Sequence, residues 1–194
     1  AKNDNGETAF MNACEVGRKD VVKLLLDSSE RIELNARSIG GWTAFMLACR
    51  SGHKDVVQLL LANLNIDLKA RDNQGDTAFT IACASGHIDV VKLILGLSDR
   101  IDLNARNESG ATAFMWTCES GHKDVVQLLL DHFERIEINA RNNFGMTAFM
   151  IACSYGIKDV VQLLLDHSEI IDPNARSNYD ETAFMTACRN GHKD

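Results

Sequence analysis

Proline occurs once in 194 residues, and aromatics make up only 6%. So little proline suits a helix-rich chain and excludes a collagen-like repeat. Long hydrophobic runs are missing too: none exceeds six residues. A membrane span needs about 20, so none is expected. No apolar stretch with a basic flank opens the chain, so a chain without a secretory leader is expected. A basic surplus is also lacking. The net charge is −7, which argues against nucleic acid, a partner that calls for a basic face. The rest, 45% apolar and 24% charged, is ordinary globular composition and excludes disorder.

What the sequence does have is repetition. Thr-Ala-Phe recurs at Thr8, Thr43, Thr77, Thr112, Thr147 and Thr182, in steps of 35, 34, 35, 35 and 35. Every cysteine lies six residues after one of these threonines: Cys14, Cys49, Cys83, Cys118, Cys153 and Cys188. A glycine follows three residues on, from Gly17 to Gly191. Then comes Asp-Val-Val-(Lys/Gln)-Leu-(Leu/Ile)-Leu, starting at Asp20, Asp55, Asp89, Asp124 and Asp159. The expectation is one array over residues 1–194, about five and a half repeats long, with no separate domain, linker or polar capping repeat. The chain starts in the run-up to a turn and stops at Gly191-His192-Lys193-Asp194. It is therefore expected to be a piece of a longer protein, with Phe184 and Cys188 partly uncovered.

One repeat reads as two short helices and a turn. Thr43 can cap a helix with Phe45, Ala48 and Cys49 on its inner face. Gly52 ends that helix, because glycine accepts the left-handed conformation of a helix stop. Asp55 opens the second helix, where its charge suits the positive end of the dipole. Val56, Val57, Leu59, Leu60 and Leu61 make this helix apolar on more than half its circumference. One repeat cannot bury such a helix, so neighbouring repeats must stack. The alternation Ile32-Glu33-Leu34-Asn35-Ala36-Arg37 reads as extended chain. Clusters such as Asn3-Asp4-Asn5-Gly6 and Asn107-Glu108-Ser109-Gly110 read as turns. About eleven helices and no central sheet are expected.

Gly41-Trp42-Thr43-Ala44-Phe45-Met46-Leu47-Ala48-Cys49, followed by Gly52-His53 and Val56 to Leu61, resembles the ankyrin repeat. The resemblance covers all 194 residues. It implies an all-α solenoid of stacked helix-turn-helix repeats with projecting β-turns. It also implies a non-enzymatic module that binds a partner protein or peptide in the concave groove and at the turn tips. The family's Pro and His at the helix start are replaced by Ala44, Met46 and their equivalents, and Phe45-type packing is expected to compensate. Each repeat is about two residues longer than the family's usual length, with the excess in stretches such as Asp27-Ser28-Ser29-Glu30-Arg31.

Little here resembles catalytic chemistry. Stacked helices sit roughly 8–10 Å apart, whereas a disulfide needs Cα atoms within about 7 Å. The cysteines therefore read as reduced, small core residues. Free thiols in turn imply a reducing compartment, so an intracellular location in cytoplasm or nucleus is expected. His53, His87, His122 and His192 recur at the Gly-His corner, a full repeat apart, and read as turn residues rather than metal ligands. His132 and His167 stand near the end of the second helix, where a cation is favoured. No nucleophile–base set, paired carboxylates or phosphate loop emerges. Catalytic residues, metal, cofactor and small-molecule substrate are all expected to be absent.

Three sets of residues remain. A basic residue precedes each turn: Lys2, Arg37, Arg71, Arg106, Arg141 and Arg176. These read either as a basic stripe for an acidic partner or as local ion pairs. Asn35, Asn104, Asn139 and Asn174 match the asparagine that the family offers to an oxygen-sensing hydroxylase. The extra residues upstream change the spacing, the third repeat has Lys69 there, and the asparagines also read as hairpin stabilisers. Finally, the aromatics outside the scaffold fall where repeats differ. Ile39, Trp42, Phe144, Met146 and Tyr179 lie in turns, and Trp116 and Tyr155 on first helices. Together with Arg106 and Arg141 they form the expected partner surface, since aromatics and arginine are enriched in hot spots. A spacer within a longer array, or the targeting arm of a larger enzyme or channel, is the alternative role.

Overall fold

Each Thr-Ala-Phe threonine begins a helix. In the computed structural model, which describes residues 2–28, 32–97 and 100–192, these threonines cap six inner helices. They are α1 (Ala9–Glu15), α3 (Ala44–Arg50), α5 (Ala78–Ala84), α7 (Ala113–Ser120), α9 (Ala148–Tyr155) and α11 (Ala183–Arg189). Every cap hydroxyl accepts from the N–H three residues on, at 3.2–3.5 Å. Such a cap contributes about 1 kcal/mol. The outer helices are α2 (Lys19–Asp27), α4 (Lys54–Ala62), α6 (Ile88–Leu95), α8 (Lys123–Leu130) and α10 (Lys158–Leu165). They start one residue before the aspartate expected to open them. The aspartate thus lies in the first turn, where the dipole still favours it.

The helices form two compact halves, Ala1–Asp102 and Leu103–Asp194. In the N-terminal half, α1, α3 and α5 pack side by side as an inner row and α2, α4 and α6 as an outer row. Each inner helix also packs on the outer helix of its own repeat. The C-terminal half is built alike, with α7, α9 and α11 inside and α8 and α10 outside. The repeating side chains fill the space between rows. Phe10, Phe45, Phe79, Phe114 and Phe149 are buried, as are Met46, Met115 and Met150. Burying such a side chain stabilises by roughly 1.5–3 kcal/mol. The methionine that stands where the family has histidine thus joins the core alongside the phenylalanine. In the third repeat Thr80 takes that place and restores a polar contact, its hydroxyl 3.1 Å from that of Thr77.

The stretch Ile32–Arg37 is not the extended strand that its alternation suggests. Leu34 and Asn35 form a turn, as do their equivalents in later repeats, and Ala36 donates back to Glu33 at 3.1 Å. The alternation still tracks burial, because Ala36 is covered while Glu33, Asn35 and Arg37 are exposed. Among the described residues, β-structure is limited to isolated bridges across the turns, such as Lys2 to Thr8 and Arg176 to Thr182. Of the longer segments noted above, Ser29, Glu30, Arg31, Lys193 and Asp194 lie outside the described residues.

All six cysteines are free: Cys14, Cys49, Cys83 and Cys118 are buried, Cys153 half-buried and Cys188 exposed. On α11, Phe184 is 76% exposed, unlike its five equivalents. It borders an apolar concavity of about 570 Å³ shared with Phe149, Cys153, Pro173 and Cys188.

Candidate partner-binding surface

Successive repeats are tied together at the turn tips by their own backbone. Asn73, at the second turn position, donates its N–H to Gly40 O at 3.0 Å and its Nδ2 to Ile39 O at 2.8 Å. Asn143 makes the same pair of bonds to Ser109 and Glu108, and Asn178 to Phe144 and Asn143. The fit needs glycine in the preceding turn. At Gly145 (φ +75°) an added Cβ would stand 2.7 Å from the Asn178 backbone nitrogen. Ile39 makes only the backbone bond, to Asn5 O at 2.9 Å, so its side chain is left outside.

The periodic polar residues serve the same stacking. Arg37 donates to the Arg71 carbonyl, Arg106 to that of Arg141, and Arg141 to that of Arg176. For Lys2, Arg37, Arg106 and Arg141 a partner is thus the next repeat's backbone, with the Glu137 carboxylate added for Arg106. Arg71 instead donates to Gly75 O and Arg176 to Asp180 O in their own turns, Arg176 also pairing with the Asp180 carboxylate. Asn35, Asn104 and Asn139 grip the following repeat with both ends of the amide. Asn139, for example, donates to Ile170 O at 2.7 Å and accepts from the Asp172 N–H at 3.1 Å. Asn174 uses its backbone N–H, toward Asp172 Oδ1. The corner histidines reach back one repeat. His53 bonds Glu15 O, His87 bonds Arg50 O and His192 bonds Ser154 O, all through Nε2 at 2.8–3.0 Å. A carbonyl only accepts, so Nε2 carries the proton in each. The contacts between repeats join residues 30–38 apart, and that is why the sequence pattern alone does not reveal them.

Away from these ladders the repeats differ. Ile39 is 71% exposed, Phe144 51%, Tyr155 55% and Tyr179 71%. Met146 is half-buried at the foot of the Phe144 turn. Trp42 is half-buried and already has a partner, the Arg50 guanidinium 4.6 Å above its ring. Arg50 also pairs with Glu15 of the preceding repeat. The sequence reading overlooked Arg50 and Glu15, as it did Glu119 in the C-terminal half. Trp116 and Glu119 stand three residues apart on α7, so they share one face, with Cβ atoms about 5–6 Å apart. The Glu119 carboxylate beside the Tyr155 phenol, as an acceptor for its O–H and as a negative charge, holds the Tyr155 pKa above the usual phenol value, with some burial adding to it. The Trp116 indole N–H is buried and has no hydrogen-bond partner among the described residues.

A family model for ankyrin repeats matches in three stretches, residues 1–72, 64–142 and 135–194. The chain belongs to the ankyrin-repeat family. Comparison with curated proteins gave no match. Ankyrin repeats are in general protein–protein interaction modules and typically not enzymes.

In this ankyrin chain the arrangement suits binding better than chemistry. Burial raises the Cys14 thiol to about 12 and the Cys153 thiol to about 11, so neither is a ready nucleophile at neutral pH. Among the described residues no group of three or more His, Cys, Asp or Glu could hold a metal ion. No described helix is long and apolar enough to cross a membrane.

Proposed function

We propose that this ankyrin chain binds a partner protein or peptide, with the apolar anchors in the C-terminal half. The observation that carries this reading is the exposure of Phe144 and Tyr179 on consecutive turn tips. The Asn178 N–H donates to Phe144 O at 2.9 Å, so the two tips are neighbours held by backbone. Rigidly mounted exposed aromatics lose little conformational entropy on binding, which favours them as anchors. Met146 and Tyr155 extend the set along the repeat of Phe144, and Trp116 along the repeat before it. Arg106 and Arg141 stay with the scaffold, since their guanidiniums hold the next repeat. In the N-terminal half Ile39 stands alone at a tip and Trp42 is stacked under Arg50.

Affinity capture from cell extract with the whole chain tests the proposal. A partner held by the wild type and lost with Phe144→Ser plus Tyr179→Ser, at unchanged melting temperature, supports it. Capture that survives both substitutions and fails with Ile39→Ser places the anchor in the other half.

A further inference from the structure

The two halves place a matching glutamate on their inner helices, and only in one of them does it meet a cation. In the N-terminal half, Glu15, the Arg50 guanidinium and the Trp42 ring stack together: carboxylate, cation, indole. Glu15 and Arg50 occupy the same position in successive repeats, seven residues after the cap threonine. In the C-terminal half those positions are Glu119 and Ser154. The carboxylate is there and the cation is not. Instead Tyr155, the next residue, lies beside Glu119, and Trp116 stands one helical turn before Glu119 on α7, while the counterpart of Trp42 is Met146. Glu181, in the turn before Thr182, is already paired with Arg189 at 2.6 Å. Glu119 has no ion pair among the described residues.

We propose that the Trp116–Glu119–Tyr155 cluster is a binding site for an arginine side chain of the partner, which pairs with Glu119 as Arg50 pairs with Glu15 in the N-terminal half. This rests on the reading of the C-terminal half as the partner-binding surface. The chemistry favours a guanidinium. Its planar fork matches a carboxylate and its face stacks on an aromatic ring, and both happen to Arg50 within this chain. The wider field agrees. Residues 103–194 contain eight Lys and Arg against thirteen Asp and Glu, a net −5, whereas residues 1–102 contain twelve against fourteen, a net −2. Most of the chain's net negative charge, −5 of −7, therefore falls in the half that holds Glu119, which attracts a basic segment and disfavours an acidic one.

The probe is Nα-acetyl-L-arginine amide, titrated into the whole chain while the two indole N–H signals are followed by NMR. The control is the citrulline analogue, which has nearly the same shape and no charge. We expect the Trp116 signal to shift saturably with arginine, with roughly tenfold or more weaker response to citrulline, while the Trp42 signal stays in place. Glu119→Gln should remove the response. Ser154→Arg should remove it as well, by supplying the missing cation from within. That variant keeps the Ser154 carbonyl that accepts from Asn190 and His192, so its fold is expected to hold. Equal responses to arginine and citrulline on the unmodified chain overturn the inference, as does an unchanged response in Ser154→Arg. A captured partner that depends on Phe144 and Tyr179 and ignores Ser154→Arg overturns it too, and leaves the turn-tip reading standing. Arginine binding with capture indifferent to Phe144 and Tyr179 supports the cluster and removes the turn-tip reading.

Discussion

At the last turn of the inner helices the two halves treat a glutamate differently. Glu15 is answered by Arg50 from the next repeat, and Arg50 is itself covered by Trp42. Glu119 meets a serine at the matching position and borrows a phenol instead. The tips diverge in the same sense. The second turn position is Asp4, Ile39 and Asn73 in one half, and Glu108, Asn143 and Asn178 in the other. Two consecutive asparagine ties fix the C-terminal tips, and the residues beside them, Phe144 and Tyr179, are aromatic and exposed. Rigid mounting and free side chains thus coincide in one half. In the other, the large inner-face aromatic is occupied within the chain.

The sharpest way to break this comparison is through the glycines beneath the tips. Gly145→Ala places a Cβ against the Asn178 backbone at a left-handed φ, and no side-chain rotation relieves it. The left-handed penalty alone is about 1–2 kcal/mol, and the contact adds to it. A loss of about 3 kcal/mol by chemical denaturation is expected. Gly6→Ala meets the milder Ile39 nitrogen at 3.0 Å and should cost about 1 kcal/mol less than Gly145→Ala. Equal losses would mean that the double asparagine tie adds no rigidity.

Binding comes next in size. Once a partner is in hand, Tyr179→Ala or Phe144→Ala should each cost about 2 kcal/mol of binding free energy, the usual hot-spot threshold, roughly thirtyfold in Kd. Ile39→Ala should cost less than threefold, about 0.6 kcal/mol. A parallel loss of melting temperature would reassign the two rings to stability.

Arg50→Ala probes the closed cluster. It removes a partly exposed ion pair and a cation–π contact, together about 1 kcal/mol of stability. Ser154→Ala, at the matching position of the C-terminal half, loses only an exposed contact from Asn190 Nδ2 that the Ser154 carbonyl also accepts, and should change stability by less than about 0.5 kcal/mol.

How much of this was legible in the sequence depends on the distance over which each feature is decided. The capped helices were, because Thr43 and the Phe45-Ala48-Cys49 face act within one or two turns. Cysteine burial was, because it repeats with the helix period. The Ile32–Arg37 alternation misled, since burial of alternate residues also arises in a turn flanked by exposed polar groups. The arginine row was read as a stripe or as ion pairs. A charge pattern does not say where a flexible guanidinium ends, and the acceptor is a carbonyl 34 or 35 residues away. The histidines hid their role for the same reason. Trp42 and Trp116 looked alike as variable aromatics. Only the stacked arrangement separates them, by placing Arg50 over the Trp42 ring and, among the described residues, no cation over the other.

The smallest effect distinguishes the halves through their thiols. The N-terminal cysteines Cys14, Cys49 and Cys83 are all buried, whereas the C-terminal series grades from buried Cys118 through half-buried Cys153 to exposed Cys188. Thiolate is the reactive form, and burial raises the pKa of Cys14, Cys49, Cys118 and Cys153 by denying that charge its water. Iodoacetamide at pH 8 should therefore label Cys188 first and Cys153 second, with Cys14, Cys49 and Cys118 reacting only on unfolding; peptide mass mapping over time reads the order. The same shifts fix a sign in pH. A thiol whose folded pKa is raised contributes stability that is fully present below its unfolded value, near 9. That stability is lost as pH climbs toward the folded value, about 11 for Cys153 and about 12 for Cys14. Replacing Cys14 or Cys153 with alanine, the residue the family usually has there, should flatten the alkaline decline between pH 9 and 11 without changing its direction. Labelling of Cys14 as fast as Cys188 in the native chain would show that the N-terminal half opens as readily as the end of the C-terminal half, and the contrast between a closed and an open half would fall with it.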